Sequence, residues 1–153
     1  GMRIYFCLLV LLLPAACASD GWHGSVQCAP WAREHSEIAL RGNASTWWGQ
    51  ARGVYGRSHQ PRRGAVIVFR ATHRLPEGHV SVVREVKGSR LILVDQANWR
   101  PGRVDYRVPV MDVSRRNDWS TVRVWWAPIR QMGRTTYPVS GFILPVGGDG
   151  EIS

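Results

Sequence analysis

The front of the chain has the spacing of apolar residues that is typical of helices. Apolar positions follow Pro30 and recur as far as Leu40, and the polar segment 41–43 predicts the end of this helix. Pro30 suits the first turn, because a helix leaves the N–H groups of that turn without a partner. A second, shorter helix is predicted over residues 45–51.

From residue 61 onward the pattern changes to short apolar runs of strand length. Strands are predicted at residues 65–69, 79–86, 91–97, 122–126 and 137–144. Helices followed by consecutive antiparallel strands are typical of the α+β class. We therefore expect N-terminal helices packed on an antiparallel sheet of about five strands.

Residues 1–18 are predicted to be a secretory signal peptide and not part of the fold. Gly1 precedes Met2 and is interpreted as a cloning remnant. The apolar run 4–13 is too short to cross a bilayer as a stable helix. Residues 16–18 fit a small-x-small cleavage site, so we expect export to the periplasm or the extracellular space.

The mature chain is expected to form one domain over residues 19–146, followed by a flexible tail at 147–153. We expect no transmembrane helix in it. The alternative interpretation of the N-terminal segment is a lipoprotein anchored to a membrane through Cys17. Pro14 argues against that alternative, because such signals usually carry Leu at this position.

Removal of the signal peptide leaves Cys28 as the one cysteine of an exported chain, since Cys7 and Cys17 leave with the signal. A single cysteine pairs with another chain, stays buried or reacts. Cys28 lies just before the first predicted helix, where unpaired N–H groups favour the thiolate. The same N–H groups could stabilise an oxyanion, and the neighbouring Gln27 is a weaker candidate for that task.

The dipeptide Gly88-Ser89 predicts a two-residue hairpin loop between two strands. Counting outward pairs Val86 with Leu91 and Val83 with Val94. The same count pairs Ser81 with Gln96 and His79 with Asn98.

This register makes His79 and Asn98 direct cross-strand neighbours, with Cβ atoms about 5 Å apart. The Asn98 oxygen would accept the Nδ1–H of the imidazole and aim Nε2 at a nucleophile. Gln96 lies on the same face, and Asp95 points to the other face unless a bulge shifts the register. A structural polar pair at the end of a strand is the alternative interpretation of His79 and Asn98.

Composition restricts the partners of the protein. The formal net charge is +9 at pH 7, which favours polyanions such as an acidic cell-wall polymer. The basic residues are scattered and no nucleic-acid motif accompanies them, so nucleic acid is disfavoured. The other histidines have no metal-ligand spacing, and we expect neither a metal nor another cofactor.

Several short segments, in this order and spacing, resemble one protein family. They are Gln27-Cys28 with Trp31-Ala32-Arg33, Gly42-Asn43-Ala44, Trp47-Trp48, residues 61–69, residues 78–83 and Asn98-Trp99. The chain resembles the CHAP family, the cysteine- and histidine-dependent amidohydrolases and peptidases of papain-like fold. The resemblance extends over residues 26–126.

The resemblance implies a secreted cysteine hydrolase that cleaves an amide bond in peptidoglycan through a thioester on Cys28. His79 would be the base and Asn98 would orient it. Many members carry Glu two residues before the Asn, where this chain has Gln96, and Asp95 could substitute only through a bulge. Trp99 is expected to shape the substrate groove.

Two alternatives to this function stay open at the sequence level. One is a catalytically silent module that binds the cell wall or serves as a scaffold. The other is an amidase that acts on a peptide outside the wall.

Overall fold

The computed structural model describes residues 26–146, together with Gly1. The predicted signal peptide at 1–18, the lipid-anchor alternative at Cys17 and the predicted tail at 147–153 all lie outside the described residues. Within residues 26–146, no helix is long and apolar enough to cross a membrane.

The described chain contains two short α-helices, two 3-10 turns and eight strands. The helical segments are α1 (Cys28–Glu34), a 3-10 turn (Ala44–Thr46), α2 (Trp47–Ala51) and a second 3-10 turn (Ala127–Ile129). The strands are β1 (Arg57–Ser58), β2 (Val66–Phe69), β3 (His79–Gly88), β4 (Leu91–Ala97), β5 (Val104–Asp112), β6 (Thr121–Trp126), β7 (Gln131–Met132) and β8 (Tyr137–Ile143).

Six of these strands close into an antiparallel barrel. The order is β8-β2-β3-β4-β5-β6, and β8 pairs with both β2 and β6, so the sheet returns to its first strand. The short strands β1 and β7 attach to β8 and β6 respectively. The predicted α+β architecture, papain-like with N-terminal helices packed on an antiparallel sheet of about five strands, is therefore wrong.

Two local features explain this error. The strand β5 contains Pro109, and a proline within a run argues against a strand. The same strand is irregular at Arg107, whose φ is 53°. The helix α1 ends at Glu34 because Ser36 competes for its backbone: the Ser36 hydroxyl donates to the Ala32 carbonyl at 2.6 Å and accepts the Ile38 N–H at 3.1 Å. The barrel thus contains one strand, β5, that was not predicted, and α1 is shorter than predicted.

The two faces of the barrel wall bury two separate apolar clusters. Along β2, Ile67 and Phe69 point into the barrel interior, whereas Val66 and Val68 pack against the cluster that contains the residues of α1 and α2. Successive strand residues point to opposite faces, so β2 is buried on both. This explains why residues 65–69 form a continuous apolar run and not an alternating one.

The register between β3 and β4 agrees with the prediction at its inner end. Val83 pairs with Val94, as predicted, and Val82 pairs with Asp95. Nearer the turn the prediction is wrong, because two irregularities shift the register until Gly88 pairs with Leu91. Together these two one-residue shifts offset the displacement of the turn, which lies at Ser89-Arg90 and not at Gly88-Ser89, so the predicted pairing holds at the other end of the hairpin.

Gly78 holds the chain at the point where β3 begins with His79. Its φ is +72°, and a Cβ built on it would lie 2.6 Å from the Phe69 carbonyl oxygen and 2.8 Å from the Ser45 Cβ. Both the backbone conformation and the close approach therefore require glycine. This contact fixes His79 against β2 and against the turn that carries Ser45.

We predict that Gly78→Ala destabilises the protein far more than Gly53→Ala. Gly53 has nearly the same φ, +73°, but a Cβ there would meet nothing within 4 Å. Backbone strain alone is expected to lower the free energy of unfolding by about 1 kcal/mol at Gly53. The additional overlap at Gly78 is expected to bring the loss to about 3 kcal/mol. Urea unfolding of the two variants tests this, and equal losses would contradict the role given to the close contact.

Candidate active site

His79 lies in a buried hydrogen-bonded group of three side chains at one end of the barrel. His79, Ser81 and Gln96 are all buried, with exposed fractions of 3%, 0% and 1%. The Gln96 Oε1 accepts the Ser81 hydroxyl at 2.7 Å and lies 3.0 Å from the His79 Nε2. His79 and Ser81 stand on the same face of β3, and Gln96 faces them from β4.

The hydrogen bond to Gln96 determines the tautomer of His79. The Gln96 Oε1 is an acceptor only, so the Nε2 of the imidazole must carry the proton and donate it. The Nδ1 then keeps its lone pair and is the atom that can take a proton. This is the reverse of the predicted arrangement, in which Nδ1–H was bound and Nε2 faced the nucleophile.

Burial keeps the His79 imidazole neutral. Desolvation lowers the pKa of His79 from 6.5 to about 4, and the hydrogen bond to Gln96 opposes this only in part. The folded state binds the proton less readily than the unfolded chain. The resulting contribution to the free energy of unfolding is therefore present above pH 6.5 and is lost as the pH falls towards about 4.

Asn98 does not occupy the predicted position beside His79. The strand β4 ends at Ala97, and Asn98 adopts a left-handed conformation with φ +62°. Its Oδ1 accepts the Gly102 N–H at 2.9 Å, and its own N–H donates to the Arg103 carbonyl at 2.7 Å. Among the described residues no hydrogen bond joins Asn98 to His79, because Asn98 closes the loop at 98–103 instead.

Asp95 points to the other face of β4, as the alternation predicted. Its carboxylate forms an ion pair with Arg84 at 2.7 Å and accepts the Arg107 N–H at 2.8 Å. The register between β4 and β5 does shift between Val94 and Gln96, but Asp95 stays paired with Val82 of β3 and its carboxylate contacts Arg84 and Arg107. Asp95 therefore stabilises the barrel wall and does not join the buried group.

Cys28 is the first residue of α1 and is half-buried. Its thiol interacts with the backbone N–H of Val80, the residue that follows His79 in β3, and with the N–H groups of Ala29 and Cys28 itself. The thiol and the imidazole thus lie at the same end of β3.

The thiol is not ionised in this environment. Burial raises the pKa of Cys28 above its ordinary value and Glu77 adds to this rise, whereas the Val80, Ala29 and Cys28 N–H groups lower it. Burial has the largest effect, so the predicted thiolate at the helix start is outweighed. The candidate pair is a neutral thiol and a neutral imidazole.

Trp99 forms an aromatic wall beside His79. Its ring centroid lies 5.0 Å from that of His79, 4.8 Å from that of Tyr137 and 5.6 Å from that of Phe69. The loop closed by Asn98 carries Trp99, so Asn98 acts on the site indirectly. Trp99 also lines an open groove of about 900 Å³, and its role in shaping a groove for substrate stays a prediction.

Two further features of the predicted site are the position of Gln27 and the side chains available to bind a metal. Gln27 is exposed at the N-cap position of α1, and its side chain does not cap the helix. Within the described ranges, no group of three or more His, Cys, Asp or Glu side chains could hold a metal ion.

Sequence reasoning overlooked the role of Ser81. The predicted register already placed Ser81 opposite Gln96, and the alternation of His79 and Ser81 along β3 was the signal that could have revealed a shared acceptor. The Nε2 of Gln96 has no hydrogen-bond partner among residues 26–146. Gln96 thus acts at this site as an acceptor for two donors.

Both the sequence and the structure have similar known proteins. A family model described as the CHAP domain matches residues 19–98, just over half of the chain. One similar solved structure is an N-acetylmuramoyl-L-alanine amidase from Staphylococcus aureus, with 20% identity and a TM-score of 0.49. The match covers 75% of this chain but 30% of that one, so the chain spans under a third of the amidase. A search of curated proteins finds no match.

We predict that Gln96→Glu converts the neutral Cys28 thiol and the neutral His79 imidazole into a thiolate and an imidazolium. A carboxylate accepts the same two hydrogen bonds and adds a negative charge, which raises the pKa of His79 and thereby lowers that of Cys28. Wild-type Cys28 should react with iodoacetamide only under alkaline conditions, whereas the variant should react at neutral pH. Histidine-selective NMR measures the accompanying rise in the pKa of His79.

Gln131→Glu provides the matched control, because it adds the same charge at an exposed position in β7. It should leave the pH dependence of labelling unchanged. Identical labelling profiles for Gln96→Glu and the wild type would contradict the assigned contact between Gln96 and His79.

Proposed function

The chain belongs to the CHAP domain family, and we propose that it is a cysteine-dependent hydrolase that cleaves an amide bond in peptidoglycan. The observation that carries the proposal is the buried group of His79, Gln96 and Ser81, at the end of β3 that the Cys28 thiol also reaches. A buried imidazole with a fixed tautomer beside a thiol is the arrangement that nucleophilic catalysis by cysteine requires.

In the first step the neutral pair reacts together. The Cys28 sulfur attacks the carbonyl carbon while the Nδ1 of His79 takes the thiol proton, which gives a tetrahedral oxyanion and an imidazolium. The N–H groups of Cys28 and Ala29 at the start of α1 are the candidates to stabilise the oxyanion. When the carbon–nitrogen bond breaks, the imidazolium gives its proton to the leaving amine and a thioester on Cys28 remains.

In the second step water replaces the amine. The Nδ1 of neutral His79 removes a proton from water, and the resulting hydroxide attacks the thioester carbonyl. Collapse of this second intermediate releases the carboxylic acid, and the proton on His79 returns to the Cys28 sulfur. The cycle consumes one water, and no metal takes part in it.

Gln96 takes the place of the orienting residue in this mechanism. It holds the Nε2–H of His79 and so keeps the lone pair of Nδ1 available, but it supplies no charge to stabilise the imidazolium. The imidazolium therefore forms only during the reaction. This explains why His79 and Cys28 are both neutral in the resting protein.

We place the protein outside the cytoplasm, on the strength of the predicted signal peptide at 1–18. Anchoring through Cys17 is the alternative. The net charge of +9 favours association with an anionic wall. The catalytically silent module and the amidase for a non-wall peptide are distinguished from the proposed function by the experiment below.

We predict that Cys28→Ala abolishes the release of fragments from purified sacculi. Removal of the nucleophile should lower the rate at least about 1000-fold, since no other group can form the thioester. Mass spectrometry of the soluble products identifies the bond that is cut. Equal release by both proteins would contradict the role of Cys28, and wall binding without release by either would support the silent module.

We predict that Gln96→Ala impairs catalysis much more than Asn98→Gly. Loss of the acceptor frees the imidazole to adopt the wrong tautomer, which should lower kcat/KM about 100-fold. Glycine at 98 keeps the left-handed backbone, so the loss there should be no more than about threefold. Both rates are measured on the same muropeptide substrate, and a larger loss at Asn98 would assign the orienting role to that residue.

A further inference from the structure

The groove beside the candidate site has an aromatic floor and a basic rim. We call it the Trp99 groove. Trp99, Tyr137 and Trp126 line it, together with His73, Arg74 and Arg134, and its volume is about 900 Å³. Trp99 connects the groove to the site, since its ring contacts His79 edge-on. The groove is therefore separated from His79 by the ring of Trp99 alone.

The positive charge of this groove is not compensated. Arg74 and Arg134 are both exposed, and within the described part of the chain neither forms an ion pair. No Asp or Glu is among the residues that line the groove. An anionic ligand would therefore pair with the two guanidinium groups without displacing a carboxylate of the protein.

A second cavity that Trp99 lines differs in this respect. Its volume is about 190 Å³, and its lining also contains arginines. Arg100 is paired with Asp105, and Arg107 is paired with Glu85. Of the two cavities, the Trp99 groove is thus the one whose arginines form no ion pair among the described residues.

We propose that the Trp99 groove recognises a free carboxylate of the substrate peptide, with Arg74 and Arg134 as the residues that determine specificity. The inference rests on the proposed function, because it takes the substrate to be a peptidoglycan stem peptide, which carries free carboxylates. A guanidinium binds a carboxylate through two parallel hydrogen bonds. The rings of Trp99 and Tyr137 supply apolar surface for the intervening carbon chain.

The test measures binding separately from cleavage. The Cys28→Ala variant is titrated by calorimetry with a synthetic stem peptide whose carboxylates are free, and with the same peptide in which each carboxylate is a carboxamide. The free peptide should bind about tenfold more tightly, and added salt should reduce this ratio.

Substitution of the two arginines identifies the recognising groups. In the Cys28→Ala background, Arg74→Gln with Arg134→Gln should bind the two peptides equally. Arg74→Lys with Arg134→Lys should retain part of the preference, because lysine keeps the positive charge but cannot form the two parallel hydrogen bonds of a guanidinium. The matched control is Arg52→Gln, an exposed arginine that does not line the groove, and it should keep the full preference.

Three outcomes would overturn the inference: equal affinity of Cys28→Ala for both peptides, an unchanged preference after both arginines are replaced, or an equal loss in Arg52→Gln. The wild-type protein is assayed in parallel for cleavage of both peptides and of sacculi. Absence of cleavage from all three would contradict the proposed function, whereas the binding ratios would still decide whether the groove selects a carboxylate.

Discussion

The orientation of the candidate base depends on one amide oxygen. The Gln96 Oε1 accepts hydrogen bonds from two neighbouring side chains of β3, and because it can only accept, it fixes which nitrogen of His79 carries the proton. The interaction requires that β3 and β4 stay in register at the end where Val82 meets Asp95. A shift by one residue would turn Gln96 to the other face.

Closure of the barrel gives this interaction its chemical effect. Since β8 pairs with both β2 and β6, the group at the end of β3 is buried on all sides and loses its solvation. Desolvation disfavours each charged form, so it lowers the pKa of His79 and raises that of Cys28. The backbone N–H groups around the thiol act in the opposite direction but are weaker. The proton therefore stays on the Cys28 sulfur, and the Nδ1 of His79 keeps its lone pair.

The sequence allowed the family and part of the register between β3 and β4 to be predicted, but not the fold. The family resemblance is confirmed, and counting from the turn gave the correct pairing of Val83 with Val94 even though the turn itself was misplaced. The count reaches the right pair because two one-residue shifts between β3 and β4 together offset the displacement of the turn from Gly88-Ser89 to Ser89-Arg90.

The remaining features depend on contacts that no short window of sequence contains. Barrel closure pairs β8 with strands that are far away in the chain. The strand β5 was not predicted because it contains Pro109. The position of Asn98 was missed because asparagine is as suited to a left-handed turn as to a strand end, and the loop at 98–103 decides between the two. The fold class was therefore wrong because of long-range strand pairing, and the contacts of Asn98 were missed because of a local loop. Whether Asn98, Gln96 or Asp95 is the third member of the site stays a prediction.

The loop that Asn98 closes has a consequence for how such a protein can diversify. Trp99 stands on this loop and lines both the groove and the smaller cavity, whereas His79 and Gln96 stand on the barrel strands. Changes in the loop can reshape both compartments without altering the register that aligns the reacting groups. If the proposed function holds, the scaffold thus separates a loop that can vary with the substrate from the strands that hold His79 and Gln96.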